Sequence, residues 1–363
     1  MNKDQPSRIA AIDAVRGVAM LLMLISHTTW RIPNFDYRVA FGWDNMIVPD
    51  LSQSHALIGF LLQAASPIFF LLAGISLAMF ITSRERRGWP TLEITRFLVI
   101  RGLILVALDL TLVNLDLLPQ SYGYRISVLT AIGLCLICMA FLRRLPLLAL
   151  GLIALGLTLA TQALYAVHGQ PFSESLLVAV LLAPQHTAPW SVEFSLLPWL
   201  PVVLLGYIMM RLIQARQISF VRVMLGMGFA LGILWVGVVL WNGFGSLYRD
   251  SRLIFTKHPP DLAYLLGYLA LACLLLGAYH ALRAHIPSPL RRALTVLGQN
   301  ALIFYVLHPK ILDVLYLLVE HVTSRPFVLS MLLTILSIPL LLLICLFYAR
   351  LRQRYPTSVI RYF

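Results

Sequence analysis

Residues Arg8 to Trp30 read RIAAIDAVRGVAMLLMLISHTTW, an apolar run long enough to cross a bilayer that nevertheless carries Asp13, Arg16 and His27. Two of its charges sit within the apolar part, and the run continues into RIPNF rather than a small-residue cleavage site, so it reads as a retained first span and not as a signal peptide. At about 100° per residue, Arg16 to His27 turns about 1100°, or about 20° beyond whole turns, and Asp13 lies one turn before Arg16. The three share one stripe. Ionisable groups in a span cost about 3 kcal/mol each on insertion scales, so they face the bundle interior, where they pair or line a polar cavity. Asp13 and Arg16 are placed to neutralise each other, and His27 stands roughly 16 Å further along the axis. Gly17 removes bulk beside Arg16, where a second helix or a ligand approaches. The plainer alternative is a structural ion pair with an interfacial imidazole.

The rest of the chain is equally apolar: 60% of residues are hydrophobic and 12% charged, and the mean hydropathy is +0.85. Runs near the spanning length of about 20 residues occupy 9–30, 55–82, 94–118, 126–142, 145–166, 195–213, 219–243, 261–281, 293–319 and 326–349. They lack the short alternating segments of an outer-membrane barrel, so the expected fold is all-α, a polytopic helical bundle of about ten spans forming a single domain over residues 1–363. Cys135, Cys138, Cys273 and Cys345 all fall inside these runs and read as small apolar side chains; neither a disulfide nor a metal site is expected.

Charge sets the orientation. With the N-terminus in the cytoplasm, 18 Lys and Arg lie at or beyond the inner ends of the runs, including Arg84, Arg86, Arg87 and Arg96, against 8 on the outer side. Both termini are then cytoplasmic, the expected location is the plasma membrane (the inner membrane of a bacterium), and the net charge of +13 is matched to anionic lipid headgroups. No basic tail or aromatic platform points to nucleic acid. No internal repeat of the transporter kind is found, and the sequence leaves a homo-oligomer open. The longer loops, 31–54, 167–194 and 244–260, fall outside, as do most histidines, with His27 and His308 at outer ends of spans.

The spacing Arg8, Asp13, Arg16, Gly17, His27 resembles the first membrane helix of the heparan-alpha-glucosaminide N-acetyltransferase family in its shorter bacterial form, within the transmembrane acyltransferase superfamily. Similar blocks follow in order: SPIFFLLAGISLAMF (66–80), TRFLVIRGLILVALDLTLVN (95–114), FSLLPWLPVVLLGYIMMR (194–211), FTKHPPDLAYLLGYL (255–269) and LGQNALIFYVLHPKIL (297–312). The chain departs from the pattern at Ser26 and Asp109, where Asp and Glu are usual, at His258, where an aromatic is usual, and in LIGFLLQAAS, which lacks a histidine.

The resemblance implies transfer of an acyl group, most simply acetyl, from cytoplasmic acetyl-CoA to a sugar amine or hydroxyl of a glycan across the membrane. Under that reading Arg8, Asp13, Arg16, Arg96 and Arg101 serve the donor, since guanidinium forks suit phosphates. His27 is the base or nucleophile, with His308 as alternative or helper. Asp109 either partners a basic group or orients a histidine. Glu193, Lys257, His258, Asn300 and Tyr305 are candidate acceptor contacts, against ordinary roles in loop structure, helix glue and interfacial packing. Two other classes fit buried charges in spans: a proton-coupled carrier, and a structural subunit whose charges only pair.

Overall fold

A computed structural model describes residues 9–32, 35, 56–115, 117–118, 123–168, 175–187, 189–241 and 257–355. Arg8, both chain ends and most of the 31–54 and 244–260 loops lie outside them. The architecture is the expected polytopic helical bundle. Its helices are α1 (Ala10–Trp30), α2 (Ala56–Leu62), α3 (Ala65–Arg86), α4 (Thr91–Leu108), α5 (Val128–Leu142), α6 (Leu147–His168) and α7 (Leu176–Leu181). These are followed by α8 (Leu196–Arg216), α9 (Phe220–Trp241), α10 (Leu262–Leu282), α11 (Ser288–Gln299), α12 (Ala301–Val319) and α13 (Pro326–Arg354). Among the described residues, 8 helices are long and apolar enough to span a membrane. Two of the expected runs fall short of that measure: α4 carries Glu93, Arg96 and Arg101, and α5 has 15 residues. They pack against each other.

Burial sorts the helices. The windows of α3 and α8 are 72% buried, whereas that of α6 is 11% and that of α9 17% buried. The outer helices turn Leu148, Leu152, Leu159, Phe229, Ile233 and Leu240 outward, an apolar belt suited to the hydrocarbon of a bilayer. Helix α1 lies inside, against α3, α10, α11, α12 and α13. Its contact with α11 is backbone-close, because a Cβ on Gly17 would collide with the Leu294 carbonyl, and one on Gly298 with that of Asp13. That is the helix–helix use of a small residue beside Arg16.

Three local departures from regular spans shape the interior. The run 293–319, read as one span, is two helices: α11 ends at Asn300, whose side chain donates to the Val296 carbonyl at 2.8 Å and whose own carbonyl accepts from Phe304 N to begin α12. Helix α4 widens into a π-helical turn, Asp109–Val113, and the Asn114 amide closes it by donating to the Asp109 carbonyl at 2.8 Å; such turns concentrate at functional sites. Beyond the helices, β1 (Tyr124–Ile126), β2 (Gln185–Thr187) and β3 (Trp190–Val192) form a small sheet in the order β1-β3-β2, with β1 parallel and β2 antiparallel to β3. The sheet carries Arg125 and ends beside Glu193.

Candidate active site

Two cavities lie along α1 and α12, which run side by side in the same direction. The larger, about 450 Å³, is lined by Asp13, Arg16, Ser76, Arg101, Gly298 and Gln299 among apolar walls that include Phe69, Leu77, Phe80, Phe97 and Leu98. Asp13 and Arg16 pair at 3.2 Å, as their one-turn spacing indicates. Arg16 also donates to Ser76 Oγ at 2.7 Å and to the Gly298 carbonyl at 3.2 Å, and Gln299 donates to Asp13 at 3.2 Å. The break between α11 and α12 therefore docks on the charged turn of α1. Arg101 lines the same cavity with no hydrogen-bond or ion-pair partner among the described residues. Arg96, five residues earlier, is exposed and is not part of the lining.

The smaller cavity, about 30 Å³, is lined by His27, Trp30, Arg31, Arg125, Ser127, Glu193, Tyr305 and His308. Here the two histidines meet: His27 Nδ1 lies 2.7 Å from His308 Nε2, and Trp30 stacks on the His27 ring at 4.3 Å. Sequence accounts for the geometry. Pro309 has no N–H to give the carbonyl four residues back, so the Tyr305 carbonyl is free of its helical partner, and His308 Nδ1 takes it at 2.6 Å. A carbonyl only accepts, so His308 Nδ1 carries the proton. For two neutral imidazoles one assignment satisfies every contact: His308 Nε2 accepts from His27 Nδ1–H, and His27 Nε2 keeps its lone pair. No described residue hydrogen-bonds that nitrogen.

Among the described residues, Asp109 reaches neither a histidine nor a cation. Its carboxylate accepts from Ser127 Oγ at 2.5 Å, Ser127 N at 2.8 Å, Thr130 Oγ1 at 2.6 Å and Thr130 N at 3.1 Å. It thus caps the N-terminus of α5 from another helix, where the free backbone donors and the helix dipole favour a negative charge. Ser127 Oγ in turn meets the Tyr305 hydroxyl at 2.9 Å.

Around the smaller cavity Arg31 pairs with Asp313 at 2.7 Å, both side chains buried, and Leu117 N donates to the same carboxylate at 3.0 Å. Lys310 donates to the Val113 carbonyl at 2.9 Å. Lys257 holds its ammonium 5.6 Å above the Phe194 ring; burial pulls it down to about 8 against the opposing field of Glu193. His258 donates from Nδ1 to the Glu193 carbonyl at 2.5 Å and packs edge-on to Phe194. Asn300 lines neither cavity; it terminates α11.

The structure therefore brings His27, His308, Tyr305 and Glu193 to one cavity, with Asp109 behind Tyr305 through Ser127, two hydrogen bonds away, and Asp13, Arg16 and Arg101 to another. It adds residues that sequence reading passed over: Ser76, Arg31, Arg125, Ser127, Thr130, Gln299 and Asp313. Of these only Ser127, directly before an apolar run, carried a local signal, that of a helix N-cap.

No curated protein matches the chain significantly. A family model described as an acyltransferase domain matches residues 9–350, which takes in both cavities and every helix from α1 into the last turns of α13. That match selects acyl transfer over the carrier and structural readings of the buried charges, and the chain belongs to this acyltransferase family as a multi-pass membrane enzyme.

Proposed function

We propose that the protein moves an acyl group, most simply acetyl, from acyl-CoA bound at the larger cavity to a sugar amine or hydroxyl that reaches the smaller one from the far side of the plasma membrane, in the manner of the heparan-alpha-glucosaminide N-acetyltransferase branch. The observation that carries the reading is the directional chain from the Tyr305 carbonyl through His308 to His27, which leaves an unprotonated Nε2.

The larger cavity suits a donor of this class. Its volume lies within the range of small-molecule sites, its apolar walls match a pantetheine arm, and the unpaired Arg101 guanidinium offers a fork to a phosphate. Transfer then needs a base at the acceptor. His27 Nε2 takes the acceptor proton as nitrogen or oxygen attacks the thioester carbon; the C–S bond breaks, and the same proton passes to the departing thiolate. Used as a nucleophile instead, the same lone pair first carries the acyl group itself. His308 stabilises the imidazolium that forms in either case, and the Arg125 guanidinium lining the cavity supplies positive charge where the oxyanion develops. On the acceptor side Glu193 lines the smaller cavity, and Lys257 and His258 pack on the adjacent Phe194 behind it.

Purified protein incubated with radiolabelled acetyl-CoA and a panel of amino and neutral sugars tests this. Label appears in a sugar and free CoA thiol accumulates; absence of both from every mixture contradicts the reading.

A further inference from the structure

Tyr305 belongs to both cavities. Beside it, Val128 and Leu129 face the larger one and Ser127 faces the smaller, so the boundary consists of the Tyr305 ring and the first turn of α5. The ring is held there. An ionised Asp109 only accepts, so the Ser127 proton points to Asp109 across 2.5 Å. Ser127 Oγ therefore offers its lone pair to the Tyr305 hydroxyl, which donates across 2.9 Å. Asp109 is fixed in turn by the Ser127 and Thr130 amides and the Thr130 hydroxyl.

We propose that Ser127, fixed by Asp109, is a positioning residue that locks Tyr305 as the partition between the larger cavity and the His27–His308 cavity. Resting on the acyl-transfer reading, this assigns a consequence to the lock. The pantetheine arm of a donor in the larger cavity would pass beside the Tyr305 ring, and with the ring locked against it an acyl group beside the histidines is shielded from water in the larger cavity. With the ring loosened, water takes the place of the acceptor: it attacks the thioester carbon, the C–S bond breaks, a C–O bond forms, and the water proton ends on the thiolate, giving a carboxylic acid and free CoA thiol. A role confined to capping α5 predicts none of this, and Tyr305→Phe separates the two, because it removes the phenol hydroxyl while leaving every Ser127 and Thr130 contact to Asp109 in place.

The partition is read directly by a cysteine reporter. Val113 lines the smaller cavity and is buried, so Val113→Cys is placed in sealed vesicles and a small, charged, membrane-impermeant methanethiosulfonate is added to each face in turn, with the parent protein and its four native cysteines as blank. From the face on which the larger cavity opens, labelling is slow with Tyr305 and Ser127 intact. It accelerates about tenfold or more when Tyr305→Phe or Ser127→Ala removes the hydrogen bond, and Ser127→Thr keeps it slow. Equal rates in Val113→Cys with and without Tyr305→Phe overturn the partition, whatever happens to stability. A second arm follows thiol release from acetyl-CoA without acceptor, which rises several-fold in Ser127→Ala. Faster labelling with no acetyl-CoA hydrolysis by any variant upholds the partition and sinks the donor assignment of the preceding section.

Discussion

Pro309 and Tyr305 stand four residues apart on α12, and the N–H that the proline lacks is the one the Tyr305 carbonyl would have received. His308 Nδ1 occupies that carbonyl at 2.6 Å, and through this contact the backbone of a helix sets which nitrogen of each histidine carries its proton. A residue that weakens the helix thereby orders the dyad.

Replacing Pro309 with alanine separates the two effects. Alanine restores a backbone donor to the Tyr305 carbonyl and removes a helix-interior proline, whose intrinsic penalty is about 3 kcal/mol. Pro309→Ala is expected to unfold at the same or a higher temperature than the parent while its acyl turnover falls about tenfold or more, as His308 loses its anchor. Thermal unfolding and turnover measured on the same detergent preparation check this; a fall in both together argues against the tautomer account.

Arg101 is expected to act on the donor alone. Arg101→Ala raises the KM for acetyl-CoA about tenfold or more, the equivalent of roughly 1.4 kcal/mol, with a smaller change in kcat, and Arg101→Lys recovers part of the loss because it keeps the charge without the fork. Steady-state kinetics with the donor varied distinguish this from a general loss of fold.

The buried pair Arg31–Asp313 joins the end of α1 to α12. Arg31→Met leaves a carboxylate buried without its cation and is expected to cost about 3–5 kcal/mol, and adding Asp313→Leu recovers part of that loss. Chemical denaturation of the two variants provides the comparison; a double variant no more stable than the single one shows that the pair contributes through other contacts of Asp313, such as that from Leu117 N.

Lys257 gives stability a pH dependence. Burial lowers its pKa from the ordinary 10.5 to about 8, so between those values the unfolded chain binds the proton that the folded chain releases, and stability rises with pH. Lys257→Met removes the penalty of holding an ammonium there. Its melting temperature is expected to exceed that of the parent by most below about pH 8, with the gap shrinking toward pH 10.5; a gap independent of pH shows that Lys257 is not desolvated.

Much of this arrangement was legible in the chain before folding. The stripe through Asp13, Arg16 and His27 follows from helix geometry, and the structure places the first two on one cavity and the third on another further along α1. Gly17 marked a close approach, which proved to be that of α11. Asp109 was visible as an anomaly in an apolar run, but its partners were not: Ser127 and Thr130 are ordinary residues for a membrane helix, and no periodicity reveals that a carboxylate on one helix caps the start of the next. The same holds for Ser76 and Gln299 around Arg16, which meet it only through tertiary packing. The break at Asn300 was hidden by the hydropathy on either side of it, although the polar Gln299–Asn300 step beside Gly298 is its local cause. The small sheet escaped notice because three-residue strands carry too little alternation to register.

The central claim is that the His27–His308 pair performs acyl transfer. The most direct measurement follows acetyl-CoA binding and CoA thiol release in parallel for the parent, His27→Ala and His308→Ala. The account predicts that His27→Ala binds acetyl-CoA with unchanged affinity while releasing thiol about 10²–10⁴ times more slowly, with His308→Ala intermediate. Full turnover in His27→Ala and His308→Ala alike would contradict it.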